Sequence, residues 1–392
     1  MSRKGSAQPI EGPPRPWSDI PLDFVGLILG CLPAHLDRVR FAAVCPQWRY
    51  AARQVLKPPP LPLLALKDGT FHSVPRGERL RFAGCDAGFT TACGKWLVYC
   101  RPGCLLLVDP FSGATMTLPA PPRIDDNDES SDDDNDSNDG DEVALMDAQD
   151  SKHSIVIKLI VCSPDLIAAL FNVTQSYQIG VCRPGASSWS VARDMLLWIT
   201  YDMAFYQGKL YAVNIAEDLL AIDITVDDST GDPHVAQIGQ VINGKLKLNF
   251  KVDLEFWMRV YLVESCGSLL MVRRRIFRRH LDDEGQIQTF AEQCEPELAV
   301  FEAHFGQSRW AKVKTLGDDL ALFLGACSGA ICMPQCDPDK RVWFLDDYNM
   351  FPSSRNFIFG TDDTVLRKFS CPLPAISWRG HIGPAVWLFP PN

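Results

Sequence analysis

Catalytic signatures are the first thing missing from this 392-residue chain. It holds no GxSxG, no HExxH, no phosphate loop and no dinucleotide fingerprint. Its 7 histidines are dispersed, with no pair at metal-ligand spacing. The 14 cysteines form no CxxC. Cys93, Cys100 and Cys104, and likewise Cys327, Cys332 and Cys336, cluster loosely without a histidine, so they read as small hydrophobes rather than zinc ligands. Such usage fits a reducing intracellular compartment, cytoplasmic or nuclear. Long apolar runs are missing too. Phe24–Leu32 and Leu320–Met333 fall short of the ~20 residues a spanning helix needs, and glycine interrupts both. The opening MSRKGSAQPIEGPPRPW has no apolar stretch, so no secretory signal is expected. These gaps leave no cofactor, metal or membrane to expect and put catalysis last among the readings.

An excess of positive charge is also missing, and the net −10 is local. Between Asp125 and Glu142 stand 11 carboxylates and no Lys or Arg, so the rest of the chain carries about +1. That balance does not suit nucleic acid. Interleaved with Ser and Asn, residues 124–142 read as a disordered, solvated insertion, with Ser130, Ser131 and Ser137 as alternative phosphorylation sites. Residues 1–16 read as a disordered N-terminus. Hydrophobic residues make up 46%, enough for a sizeable core elsewhere, and the length suits a small module joined to a large domain.

The small module comes first, over residues 17–56. Ser18 or Asp19 is placed to cap a helix opening near Pro21, and Leu22, Val25, Leu29 and Leu32 then recur at helical spacing. Pro33 ends that helix and opens a second, expected to turn Leu36, Val39 and Ala43 inward. Pro46 opens a third, with Trp48, Ala52 and Val55 on one side. Three helices this short have little core of their own and gain stability from a partner. Residues 57–64, KPPPLPLL, read as a semi-rigid linker of polyproline character.

From residue 61 to 392 the chain reads as β, in short runs of branched and aromatic residues separated by Gly, Pro, Asp and Ser. A pattern recurs. GKWLVYCRPGCLLLVD and GKLYAVNIAEDLLAID each place an Asp 15 residues after the Gly, at Asp109 and Asp223. GAICMPQCDPDKRVWFLD repeats the idea with a gap of 17, ending at Asp346, and GSLLMV joins LAVFE through a long insertion. Each unit reads as strand, hairpin, strand, with a turn role for the closing Asp. CRPGASSW and AHFGQSRW share Gly, Ser and Trp at matching offsets, so Trp189 and Trp310 are expected to plug between neighbouring sheets. Repeated four-stranded units of this size predict an all-β domain, a propeller of six or seven blades, ahead of a pair of β-sandwiches. The C-terminal Ala385–Phe389 reads as a strand completing the blade begun at Leu61–Leu66. RRRIFRRH, from Arg273 to His280, reads as a charged hairpin insertion, with a nuclear-localisation patch as the alternative.

Two resemblances sharpen this. Ile-Pro-Leu-Asp at 20–23, Ile28-Leu29, Leu32-Pro33, Val44-Cys45 and Trp48-Arg49 resemble an F-box in order and spacing. Pro46 departs from it, standing where F-boxes usually carry Lys or Arg. The resemblance implies that Ile20, Pro21, Leu22, Ile28, Leu32, Val44, Cys45 and Trp48 pack on a Skp-type adaptor, and through it reach a cullin, in an SCF ubiquitin ligase. VDPFSGATMTLP, MAFYQGKLYAV, YLVESCGSLLMVRR and VWFLDDYN, behind that F-box, resemble the plant F-box proteins with a KIB-type β-propeller. That family implies recognition of a protein substrate by the propeller and no catalysis, and supplies no substrate. The alternative is a scaffold whose F-box works outside any ligase.

Overall fold

The computed structural model describes residues 20–122, 155–244, 256–332, 342–345 and 385–391, apart from position 75 and stretches within 174–198, 278–297 and 315–319. The expected disorder at 1–16 and 124–142, the capping Ser18 and Asp19, Cys336, and Asp346 lie outside the described residues.

Three helices open it: α1 (Leu22–Gly30), α2 (His35–Ala43) and α3 (Pro46–Gln54). Pro21 holds the cap position of α1, so the proline that suits a first turn here sits just before it. Cys45 caps α3, its sulfur accepting from the Trp48 N–H at 3.4 Å, and Pro46 fills the first turn, where no N–H is needed. The core is small: Val25, Leu29, Phe41, Ala51 and Ala52, with Phe41 stacked on Trp48 at 4.5 Å. The inward face of α2 differs from the expected one. Val39 is 48% exposed and Ala43 is exposed, while Phe41 and Arg38 turn inward. Arg38 can do so because its guanidinium donates to the carbonyls of Leu32 at 2.7 Å and Pro58 at 2.6 Å. A periodicity reading counts arginine as outward and misses that exchange.

Six blades follow, confirming the propeller and settling its count. Listed from the inner strand outward, the first holds Val386–Leu388, Leu63–Ala65, Phe71–Ser73 and Glu78–Leu80. The second holds Thr91–Cys93, Trp96–Arg101, Cys104–Val108 and Thr115–Pro119. The third runs through Ile155–Ser163, Leu166–Val173, Ser176–Cys182 and Ser190–Ala192. The fourth runs through Thr200–Tyr206, Lys209–Asn214, Leu219–Val226 and Pro233–Ile242. In the fifth, Phe256–Ser265, Ser268–Phe277, Leu298–His304 and Arg309–Lys312 pair in order, so the join across the long insertion is as expected. The sixth has Gly329–Cys332, Leu320–Leu324 and Val342–Phe344.

Closure is by the two ends of the β domain. Val386, Trp387 and Leu388 pair antiparallel with Ala65, Leu64 and Leu63, and all six side chains are buried. Indoles stitch the blades together. The Trp189 N–H donates to the Pro119 carbonyl at 3.1 Å, that of Trp310 to Glu217 at 2.8 Å, and that of Trp387 to Leu324 at 3.1 Å, each reaching into the preceding blade. The two echoed tryptophans thus plug between sheets as their repeats predict.

The repeated Gly-Lys…Asp units are cross-strand ion pairs as well as turns. Lys95 meets Asp109 at 2.7 Å and Lys209 meets Asp223 at 2.7 Å. Asp109 also closes a turn, accepting from the N–H groups of Phe111 and Ser112 and the Ser112 hydroxyl. The third unit breaks the pattern. Gly329–Cys332 and Val342–Phe344 do not form a hairpin with each other; they flank Leu320–Leu324, the latter in parallel. Short turns at Pro102-Gly103 and at residues 215–218 force neighbours to pair, whereas the connection of nine residues, 333–341, is long enough to cross over. Arg273 and Arg274 are also strand residues rather than loop. Arg273 pairs with Glu217 of the fourth blade at 3.0 Å and lies over the Phe301 ring at 4.8 Å, and Arg274 is buried.

Candidate functional site: an unfinished helical surface on a closed propeller

The helices keep large apolar side chains in water. Leu22 is 48% exposed, Phe24 59%, Leu27 68%, Val44 60% and Tyr50 65%. On so small a unit this is a large share of apolar surface left uncovered, more than monomeric domains usually leave. A cavity of about 400 Å³ opens between α1 and α3, lined by Ile20, Leu22, Val25, Trp48, Tyr50 and Ala51 among others. Three of the eight residues singled out from sequence, Ile20, Leu22 and Trp48, therefore meet at one opening. Pro21 and Val44 are exposed elsewhere on the unit. Ile28 and Leu32 pack against the internal core, and Cys45 serves as the α3 cap. Sequence reasoning passed over Phe24, Leu27 and Tyr50. Phe24 and Leu27 lie three apart on α1, off the face that buries Val25 and Leu29, a second apolar stripe that periodicity alone could have exposed.

The unit is fastened to the propeller rather than tethered. The Leu61 N–H donates to the Pro33 carbonyl at 2.8 Å, and Ala34 and Leu61 form a parallel bridge. Arg40 pairs with Glu78 at 2.8 Å, and His35 packs edge-on to Phe111 at 5.1 Å. Burial, with Arg38 beside it, lowers the His35 pKa to about 4, so its imidazole is neutral at pH 7. Burial and the same guanidinium hold the Lys57 ammonium below its usual range, and its Nζ donates to the Ala52 carbonyl at 3.1 Å. With the Arg38 bond to the Pro58 carbonyl, these contacts hold the proline-rich segment against the helices and the first blade.

The inner strands surround a central cavity of about 560 Å³, lined by residues such as Cys93, Lys158, Met203, Leu262 and Ala330, and by Phe389. Lys158 and Asp202 meet beside it at 2.6 Å, both nearly buried. Asp202 also accepts from the backbone N–H of Met203 and of Leu262, each at 2.8 Å, which links three blades through one carboxylate. Burial pushes this carboxyl up; the Lys158 ammonium and the two N–H groups oppose it. With the lysine so close and both oxygens engaged, the pair is a structural tie. Among the described residues no three His, Cys, Asp or Glu gather as metal ligands, and no helix is long and apolar enough to cross a membrane.

Three N-terminal helices with F-box spacing on a six-bladed propeller define the class: an F-box protein with a β-propeller domain. The comparisons name the family. The KIB1-4 beta-propeller profile matches residues 63–364, so the chain belongs to that family. It is 23% identical over 358 residues to the F-box protein SKIP23 of Arabidopsis thaliana, covering 82% of each chain. The resemblance to plant F-box proteins with a KIB-type propeller is borne out. The profile begins at the first propeller strand and stops short of the closing one, so closure rests on the pairing of Leu63–Ala65 with Val386–Leu388.

Proposed function

We propose that this protein is the substrate-recognition adaptor of an SCF-type E3 ubiquitin ligase. Its F-box binds a Skp-type adaptor, and through it a cullin, while the propeller binds a protein substrate; the chain itself catalyses nothing. One observation supports the reading: the helical unit leaves Leu22, Phe24, Leu27, Val39, Val44, Tyr50 and Leu56 in solvent, around a core of only five buried residues. Covering such groups releases roughly 25 cal/mol per Å² of apolar surface, enough to drive a specific helical interface. The bonded junction adds support, because an adaptor must hold its substrate at a set distance from the transferring enzyme. An intracellular setting, cytoplasmic or nuclear, goes with this role. Affinity purification of the tagged full chain tests it. Recovery of a Skp-type adaptor together with a cullin supports the ligase role. Recovery of the adaptor without any cullin would favour a scaffold working outside a ligase.

A further inference from the structure

Two exposed cysteines from different blades meet at the surface. The sulfurs of Cys266 and Cys332 stand 2.9 Å apart, although 66 positions separate them in sequence. Cys266 sits in the two-residue turn between Phe256–Ser265 and Ser268–Phe277, in the fifth blade; Cys332 ends Gly329–Cys332, the inner strand of the sixth.

Both backbones are held. The Gly267 carbonyl accepts from the Tyr206 hydroxyl of the fourth blade at 2.6 Å, and Cys332 is in register with Leu320. The turn itself does not ask for cysteine. Cys266 and Gly267 have φ of +47° and +81°, and the equivalent turn of the fourth blade, Gln207-Gly208, adopts +48° and +78° with glutamine in the same place. A non-glycine residue in this left-handed region is uncommon, with Asn or Gly the usual occupants. The thiol therefore has to be explained by what it faces. Other cysteines differ. Cys93, Cys182 and Cys327 are buried, and burial raises their thiol pKa values and keeps them inert.

We propose that Cys266 and Cys332 are a modification site: they close into a reversible disulfide, clasping the fifth blade to the sixth, when the protein meets a two-electron thiol oxidant such as hydrogen peroxide. One thiolate attacks a peroxide oxygen, the O–O bond breaks, and a sulfenic acid and one water result. The second thiolate attacks that sulfenic sulfur, the S–S bond forms, and the hydroxyl leaves as a second water. Two thiols and one peroxide thus become one disulfide and two waters. Two equivalents of a thiol reductant such as glutathione reverse it. An exposed disulfide in a reducing compartment is the labile, responsive kind. Its effect is on cohesion: blades otherwise joined by side-chain packing gain a covalent tie across a long loop.

The test uses the purified full-length protein, reduced and then treated with a small molar excess of hydrogen peroxide. Cleavage after Lys and Arg puts Cys266 alone on the peptide 260–273, but Cys332 on 315–340 with Cys327 and Cys336, so Cys332→Ser is needed for the assignment. The expected result is a 260–273 to 315–340 cross-link, with a melting temperature raised by ~5 °C or more that dithiothreitol reverses. Cys266→Ser and Cys332→Ser each abolish both the link and the shift, while Cys100→Ser, at another exposed thiol, keeps both. Separate adducts on the two cysteines without a cross-link would overturn the proposal, as would a link that survives Cys332→Ser.

Discussion

In the F-box, Val25, Leu29, Phe41, Ala51 and Ala52 are sheltered while Leu22, Phe24, Leu27, Val44 and Tyr50 stand in water. In the propeller, a strand such as Leu166–Val173 buries Ile167 to Phe171 without a break, and large apolar side chains left in solvent, such as Ile155 and Val226, are scattered singly. Both regions obey the same hydrophobic arithmetic, but only one of them can close on itself. A ring of sheets gives every blade two neighbours, so apolar surface on either face finds cover. Three nine-residue helices enclose only one small core, and the surface left over is available to another chain. Self-sufficiency in one part and incompleteness in the other suit the proposed role of a module that joins two partners.

Breaking the ring should have the largest effect. Deleting residues 385–392 removes the closing strand, with Val386, Trp387 and Leu388, each worth roughly 1.5–3 kcal/mol of burial. The sum rivals the whole stability of many domains. Limited proteolysis should show the entire β domain opened; a digestion pattern like that of the intact protein would make closure peripheral.

Next comes the tie at the channel. Lys158→Met leaves the Asp202 carboxylate buried without its cation and should cost about 3–5 kcal/mol in chemical denaturation. Lys209→Met breaks an ion pair of similar length, 2.7 Å, but one exposed to water, and should cost under ~1 kcal/mol. Equal costs would show that Lys158 and Asp202 are solvated in solution.

A smaller effect belongs to the junction. The His35 pKa is lowered to about 4 from an ordinary 6.5, so the unfolded chain takes up a proton there before the folded one does. Its contribution is complete above pH ~6.5 and is lost as pH falls toward 4. Relative to the wild type, His35→Phe should flatten the decline in melting temperature between pH 7 and pH 5. Parallel declines would mean that the imidazole is open to water.

The smallest change in stability is expected where binding suffers most. Leu22 is half in solvent, so Leu22→Asp should move the melting temperature by no more than ~1 °C. Co-purification with a Skp-type adaptor should nonetheless be lost, since complex formation would bury the new carboxylate. Trp48→Ala should lose it too, at some cost to the F-box because Trp48 stacks on Phe41. Undiminished recovery with both variants would place the docking surface elsewhere.

Much of this architecture could be read before any coordinates. Pattern and turn chemistry are local, so the helices, the repeating units and the echoed tryptophans were visible as spacings. The closing strand was legible because an apolar run between Pro384 and Pro390 has few other uses. What escaped was non-local compensation. Arg38 is buried because two carbonyls happen to face it, and Arg273 sits in a sheet because Glu217 of the fourth blade answers it. Lys158 and Asp202 are 44 positions apart and meet only when two blades stand side by side. The crossover that sets Val342–Phe344 parallel to Leu320–Leu324 depends on a connection whose length permits either outcome. For the site, the motif named eight residues and the structure grouped three; exposure, which spacing does not encode, added the rest.

Closure of the first blade also has a clock. Leu63, Leu64 and Ala65 leave the ribosome about 320 residues before the strand that covers them, at Val386–Leu388. At ~5–20 residues per second, that is a wait of roughly 15–60 seconds. Throughout it the F-box is already made and can fold, while the blade it stands on keeps an unpaired edge. In the proposed ligase role, a chain caught in that interval would dock before its propeller is whole. Chaperone cover over the first strands, or a delay in F-box docking until the junction at Pro33 and Leu61 has formed, would keep half-built recognition domains out of the assembly.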